Sequence, residues 1–408
     1  MNILFLNLYD NRGGAETIFN LCYEQSVKNN NCFRLVLAGD RDKDNNIYSV
    51  MSKDIFMRYQ YIIEHSIWFK KLVRIWVFVH ILSLVILHKI DIIHLHNTHD
   101  FLISTKGIDI LLRFVPIVWT FHDMWGMTGH CAYSSKCTKW KKGCQTCNNL
   151  LEYPSLERDC TLKLFQSKMN LYRNKNIFRV CPSEWLYNMV VESGMGKRNL
   201  FHIPNGVECS TFRRIDKKKA RKDCGLDEDK KYILFVAASL DNKKKGMDYL
   251  MTALKMLEDI KELQMLIIGE SCKMIAKGRI PVKQFGYISD KKMANELYAA
   301  ADLFVLPSIE DNFPCTTLEA MASGTPVIAF AVGGITEQLN DGTGYLINEI
   351  SATALADGIR TALTDDEQRN KVAEKAYMKC MEEYSEQKMG DSYEKLYKYA
   401  VRRFRRSK

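Results

Sequence analysis

Two carboxylates, Asp311 and Glu319, are separated by seven residues, and Pro314, Cys315, Thr316 and Thr317 lie between them. Residues 304–306 form a short apolar run closed by Pro307, the pattern of a strand buried in a parallel sheet. Pro314 suits the first turn of a helix, where its missing N–H costs nothing. Leu318 to Met321 continue that helix and Gly324 ends it, before a second buried strand at 325–330. A helix starting at the C-terminal end of a parallel strand turns its unpaired N–H groups toward the ligand. The amides of Cys315, Thr316 and Thr317 are thereby placed to hold a diphosphate. Glu319, about one turn further in, can accept hydrogen bonds from ribose hydroxyls, and Asp311 can reach the group beyond the phosphates. An ordinary βαβ unit with surface acids would show the same pair.

Three lysines and a glycine, Lys243-Lys244-Lys245-Gly246, follow a predicted strand at 232–237. Cations at that edge can neutralise a diphosphate whose charge grows as it leaves, although a triple lysine is commonly a solvated run. Gly13-Gly14 sits at the turn between a strand at 3–6 and a helix at 15–25, where two glycines let backbone approach a ligand closely. His122 falls just past a strand at 116–121, at the edge where a reacting group would lie. His94 and His96, in a strand at 91–96, read as packing or hydrogen-bonding residues.

The Asp311-x7-Glu319 spacing, with EAMASGTPVIAF and Gly333-Gly334 behind it, resembles the E-x7-E motif of family 4 retaining glycosyltransferases, which have the GT-B fold. Asp311 replaces the usual first Glu and is one methylene shorter. The loop Gly13-Gly14-Ala15-Glu16 resembles that family's GGAE loop under the donor diphosphate. The resemblance places His122 against the donor sugar. Lys245-Gly246 fits its Lys-Gly pair, whereas Ser239 stands where Arg is usual, so Lys243 or Lys244 must supply that cation or it is missing. Gln284-Phe285-Gly286-Tyr287, with Ser289-Asp290, resembles the loop whose backbone holds the nucleotide base. IPNGV at 203–207 resembles the junction between domains.

Residues 129–147 gather Cys131, Cys137, Cys144 and Cys147 beside His130 in a short basic loop. Cys144-x2-Cys147 has metal-knuckle spacing, and four thiolates would close a tetrahedral structural zinc site. Free cysteines are the other reading. A similar insertion occurs in a bacterial subgroup of these transferases that builds cell-surface polysaccharide. Residues 75–87 lack charge but are shorter than the ~20 residues that span a bilayer. They predict either a buried helix against the sheet, or one whose Trp68, Phe69 and Trp76 rest on a membrane with Lys70, Lys71 and Arg74.

With 408 residues, the chain suits two α/β domains better than one core. A formal charge of +10 favours anionic partners such as phosphate-bearing substrates or lipid headgroups. No nucleic-acid-binding signature accompanies it, so nucleic acid is not expected. Thirteen cysteines behind an N-terminus without signal-peptide features predict a reducing, cytoplasmic setting, extending to the inner face of the membrane. The expected architecture is GT-B: two Rossmann-like parallel-sheet domains facing across a cleft. Residues 1–205 would form an acceptor-binding domain and 206–385 a nucleotide-sugar-binding domain, with 386–408 a helix crossing back and a basic tail. The resemblance implies transfer of a hexose-type sugar, with retention and without a catalytic metal, from a UDP- or GDP-sugar to an oligosaccharide or lipid-linked acceptor. A degenerate GT-B module and a glucan synthase or phosphorylase on the same fold are the alternatives.

Overall fold

The computed structural model describes every residue except 11–12, 40–41, 43–45, 59–66, 100–101, 271–277 and 408. The chain divides into one unit of Met1–Pro204 with Met389–Lys408, and a second of Asn205–Lys388.

The first unit is built on a seven-stranded sheet: β1 (Asn2–Tyr9), β2 (Asn31–Ala38), β3 (Ile47–Met51), β4 (Ile92–Leu95), β5 (Ile117–Thr120), β6 (Ile177–Cys181) and β7 (Leu200–His202). The order is β3-β2-β1-β4-β5-β6-β7, and the paired strands run parallel. Strand order reverses between β1 and β4, which is where open α/β sheets bind ligands. One face is aliphatic, with Leu4, Leu6, Leu35, Ile93, Leu95 and Ile117 in a single core. The other face carries the rings of Phe5, His94, Tyr393 and Tyr397. Tyr393 and Tyr397 lie on the helix Glu386–Arg405, whose apolar stripe from Met389 to Phe404 is buried.

The second unit has six parallel strands: β8 (Lys231–Val236), β9 (Leu263–Ile268), β10 (Val282–Gln284), β11 (Leu303–Leu306), β12 (Val327–Phe330) and β13 (Tyr345–Ile347). Their order is β10-β9-β8-β11-β12-β13, reversing between β8 and β11. Alternate residues feed two separate cores: Tyr232, Leu234, Leu266 and Ile268 on one face, Ile233, Phe235, Met265 and Ile267 on the other. Helices cover both faces, which is why these strands read as unbroken apolar runs.

Several elements differ from the sequence expectation. β3 carries no strong pattern and was not foreseen. Pro314 is the residue before the helix Cys315–Ala322, with ψ 130°, and not its first turn. A run as charged as 213–222 is expected to be solvated, yet the Arg221 guanidinium is buried, bonded to Asp302 at 2.7 Å and to the Ala300 carbonyl at 3.1 Å. Asp290 caps the helix Lys291–Ala300 through the Lys292 N–H. The helix Ile67–Leu87 has one buried and one exposed face. Val77, Ile81, Leu84 and Val85 are buried, while Trp68, Leu72, Ile75 and Val79 are exposed. Among the described residues no helix is long and apolar enough to cross a membrane.

Candidate active site

Parallel strands deliver all their following loops to one sheet edge. In the second unit, β8 and β11 are neighbours at the reversal of strand order, so the loops after them meet. The Lys245 ammonium donates to the Asp311 carboxylate at 2.6 Å. Lys244 approaches Glu310 at 3.7 Å, and the Ile309 N–H donates to the Lys244 carbonyl at 2.9 Å. Lys243 is exposed, and Ser239 is an exposed residue of the same loop. Two glycines permit this closeness. Gly246 has φ +73°, and a Cβ there would stand 1.8 Å from the Pro307 oxygen. Gly333 has φ +54°, with a Cβ 1.8 Å from the Asp311 oxygen. A side chain at either would strain the backbone and push the acidic loop away.

The helix Cys315–Ala322 begins directly after this loop. Its first N–H groups, at Cys315, Thr316 and Thr317, have no acceptor within the helix. The Thr317 hydroxyl is buried without a hydrogen-bond partner among the described residues. Glu319 is partly buried, burial raises its carboxyl pKa, and the Tyr298 hydroxyl donates to it at 2.9 Å. Asn205 and Gln338 brace the loop, donating to the Phe313 and Pro314 carbonyls at 3.1 Å each. Gly286 has φ +70° and accepts from the Gly269 N–H at 2.9 Å, and Tyr287 beside it is exposed.

In the first unit the corresponding edge is made of neutral imidazoles. His122 follows β5 and His96 follows β4, its neighbour, and their rings meet Nε2 to Nδ1 at 2.9 Å. Burial lowers the His122 pKa to about 4, against the pull of Asp123. Burial, then His94 and His122, holds His96 well below the ordinary histidine range. Both rings are therefore neutral at pH 7, and one N–H is shared between them. His96 Nε2 is buried with no partner among the described residues. Orphaned buried N–H groups are rare, so the His96 proton belongs on Nδ1, donating to His122. His122 then carries its own proton on Nδ1, as a hydrogen-bond donor. Behind them His94 lies against His96, tilted by 41° with ring centroids 4.2 Å apart, and its two nitrogens meet the Tyr397 and Thr120 hydroxyls at 2.7 and 2.8 Å. Gly13 and Gly14 stand between β1 and the helix Gly14–Val27. Gly13 is extended, at φ 175°, so it needs no glycine for its own geometry.

The cysteine loop is held from below by Lys168, fully buried, whose ammonium donates to the Trp125 and Thr128 carbonyls at 2.5 and 3.0 Å. Cys144 Sγ accepts from the Gly129 N–H at 3.2 Å, and Cys147 Sγ lies 3.4 Å from His130 Nε2. Burial and the neighbouring cysteines push the Cys131 thiol up to about 12, and Cys137 is exposed. Among the described residues the four sulfurs do not close into a metal-sized group. Cys22, His94 and His96 do, within 4.8 Å. Both His94 nitrogens are already engaged there, so that trio serves as a packed polar core.

Tyr298, Asn205, Gln338 and His96 were not foreseen as site residues. Each supports a candidate from elsewhere in the chain, and only the tertiary packing reveals them.

A family model described as Glycosyltransferase Family 4 matches residues 13–211, and one described as Glycosyl transferases group 1 matches 216–379. A protein described as a colanic acid biosynthesis glycosyl transferase, WcaC of Escherichia coli K12, is 27% identical over 75% of this chain and 76% of its own length. The lipopolysaccharide 1,2-N-acetylglucosaminetransferase of Salmonella typhimurium is 30% identical over 54% of this chain and 61% of its own. Among solved structures, Anabaena HepE in complex with UDP-glucose superposes with a TM-score of 0.67 at 17% identity, covering 97% of this chain and 99% of HepE. Sucrose-phosphate synthase from Thermosynechococcus elongatus gives 0.72 at 16%, covering 98% of both. The two Rossmann-like sheets are thus those of a GT-B enzyme. The chain belongs to the glycosyltransferase family that these two models describe, and is related to enzymes of colanic acid and lipopolysaccharide biosynthesis.

Proposed function

We propose that the chain transfers a hexose-type sugar from a nucleotide-diphosphate donor, a UDP- or GDP-sugar, to a hydroxyl of a lipid-linked oligosaccharide in surface-polysaccharide assembly, with retained anomeric configuration. The observation that carries this reading is the meeting of Lys245, Asp311 and the start of the helix Cys315–Ala322 at the reversal of strand order in the second unit. In this reading the amides of Cys315, Thr316 and Thr317 take the diphosphate, and Lys245, with Lys244 in place of the Arg that Ser239 lacks, offsets its growing charge. Glu319 accepts from ribose hydroxyls, and the Gly286–Tyr287 backbone meets the base. Asp311 orients the sugar; in the first unit the Nδ1–H of His122 is a donor suited to a sugar hydroxyl, and the Gly13-Gly14 loop offers backbone to a ligand. The step uses no metal: the departing phosphate helps take the acceptor proton. The named activities of the Escherichia coli and Salmonella relatives and the UDP-glucose bound to HepE support the substrate class.

A panel of UDP-, GDP- and ADP-sugars, scored by thermal shift and released nucleotide, tests the donor. One sugar nucleotide should raise the melting point and be slowly hydrolysed, and chelator should leave that hydrolysis unchanged. Proton NMR of the first product should show the donor's anomeric configuration. Failure of every sugar nucleotide to bind would overturn the reading in favour of a degenerate module.

A further inference from the structure

A cavity of ≈ 690 Å³ opens in the first unit among residues that the transfer chemistry does not use. Three pieces of chain wall it: Lys70, Lys71 and Arg74 from the first turns of the helix Ile67–Leu87, Lys106 beside Ser104 and Thr105, and the segment 155–160 with Lys163 of the next helix. Thr105 and Ser167 join two of these walls through a 2.5 Å hydroxyl contact. Six cations line the cavity, against Glu157 and Asp159. Asp159 is already committed, accepting from the Cys147 and Thr161 N–H groups at 2.8 and 3.0 Å and from the Thr161 hydroxyl at 2.7 Å. Among the described residues Lys71, Lys106, Arg158 and Lys163 enter no ion pair with an acid. So many cations around one hollow repel one another unless an anion joins them.

The surroundings of the cavity are apolar and exposed. Trp68 is 78% exposed and Leu72 57%, on the helix that supplies three of the cations. Leu151, at 87%, precedes the third wall in sequence, and Leu162 stands beside Lys163. The exposed residues 68, 72, 75, 76 and 79 recur at helical spacing, opposite the buried Val77, Ile81 and Leu84. An apolar stripe flanked by lysines and arginines suits the boundary between headgroups and acyl chains.

We propose that this cavity seats the phosphate of an anionic phospholipid while Trp68, Phe69 and Leu72 enter the interfacial layer, docking the first unit on a negatively charged bilayer. Charge complementarity selects this occupant: the hollow is cationic, and its rim is wettable by lipid. The docking extends the proposed use of a lipid-linked acceptor without depending on it.

The test is sedimentation of the full chain with vesicles of phosphatidylcholine alone or mixed with phosphatidylglycerol, at physiological salt. Binding is expected only to the mixed vesicles. Near an anionic surface each Lys or Arg contributes about 1 kcal/mol, or roughly fivefold. Lys71→Glu with Lys163→Glu should therefore weaken binding by about 100-fold or more. Trp68→Ser with Leu72→Ser should weaken it without removing its salt dependence. The melting point and slow donor hydrolysis in vesicle-free buffer, read on each variant, distinguish lost docking from lost folding, and keep this proposal separate from the transferase reading. Equal binding to both vesicle types would overturn the proposal. So would release by millimolar inorganic phosphate, which would make the cavity a site for free anion. Loss of binding on deleting residues 402–408, with the Lys71/Lys163 variant unaffected, would assign the membrane contact to the tail instead.

Discussion

The two units share a plan, a parallel sheet whose strand order reverses once, yet they furnish the edge beyond that reversal differently. The second unit places full charges there, Lys245 against Asp311 and Lys244 near Glu310, and fixes them through backbone that only glycine allows at 246 and 333. The first unit places neutral imidazoles there, His122 on His96 on His94, and fixes them through side chains. In the proposed reaction, charge balances a diphosphate and neutral donors orient sugar hydroxyls, because a hydroxyl needs direction more than it needs a field.

The contrast breaks most visibly at the acids. Asp311→Ala and Glu319→Ala should each lower turnover by ~10²–10³-fold, measured as donor-dependent product formation, with the melting point held within a few degrees. Full activity in either would remove the charged edge from the mechanism.

Acid should next separate the units by sign. The His122 pKa falls from 6.5 to about 4 on folding, so the unfolded chain binds the extra proton first. That stability is complete above pH 6.5 and is lost as pH falls toward 4, by on the order of 3 kcal/mol at most. His94 and His96 act in the same direction. Burial raises Glu319 instead, so its contribution is favourable at low pH and lost as pH rises. Hydrogen exchange followed from pH 7 to pH 5 should show the first unit loosening before the second. The reverse order would refute the neutral-imidazole assignment.

A smaller effect sharpens the backbone side of the comparison. Gly246→Ala should cost about 1–3 kcal/mol in thermal unfolding, whereas Gly13→Ala, at an extended φ and with its new methyl 3.5 Å from Glu16, should cost under ~0.5 kcal/mol. On the imidazole side, His96→Phe should lower turnover about tenfold with little change in donor KM. Long-range proton–nitrogen NMR should then show His122 no longer fixed with its proton on Nδ1. An unchanged tautomer would mean that His96 only fills space.

Much of this was legible from residue types. Pro307 and Gly324 punctuate the second unit, so β11, the helix Cys315–Ala322 and β12 fall where the pattern puts them. The Asp311-x7-Glu319 spacing identified the acidic loop and its helix. The pairings were not legible. Lys245 and Asp311 lie 66 residues apart and meet because β8 neighbours β11. His96 and His122 meet because β4 neighbours β5. Strand order is a tertiary property that no local pattern encodes. Arg221 misled for a related reason: in a run of lysines it looks solvated, and its partner Asp302 is supplied by a distant turn.

The helix Glu386–Arg405 has a consequence for how the molecule is made. Tyr393 and Tyr397 complete the hydrogen bonds of Thr120 and His94 in a core otherwise assembled from the first half of the chain. Those tyrosines leave the ribosome only after the whole of Asn205–Lys388 has been translated, at roughly 5–20 residues per second. Through that interval the aromatic face of the nascent first sheet has the helix Gly14–Val27 against it but not the C-terminal helix, and Thr120 and His94 lack their tyrosine partners. The second unit can close from contiguous sequence meanwhile. The half of the molecule that is synthesised first is therefore the half that finishes folding last.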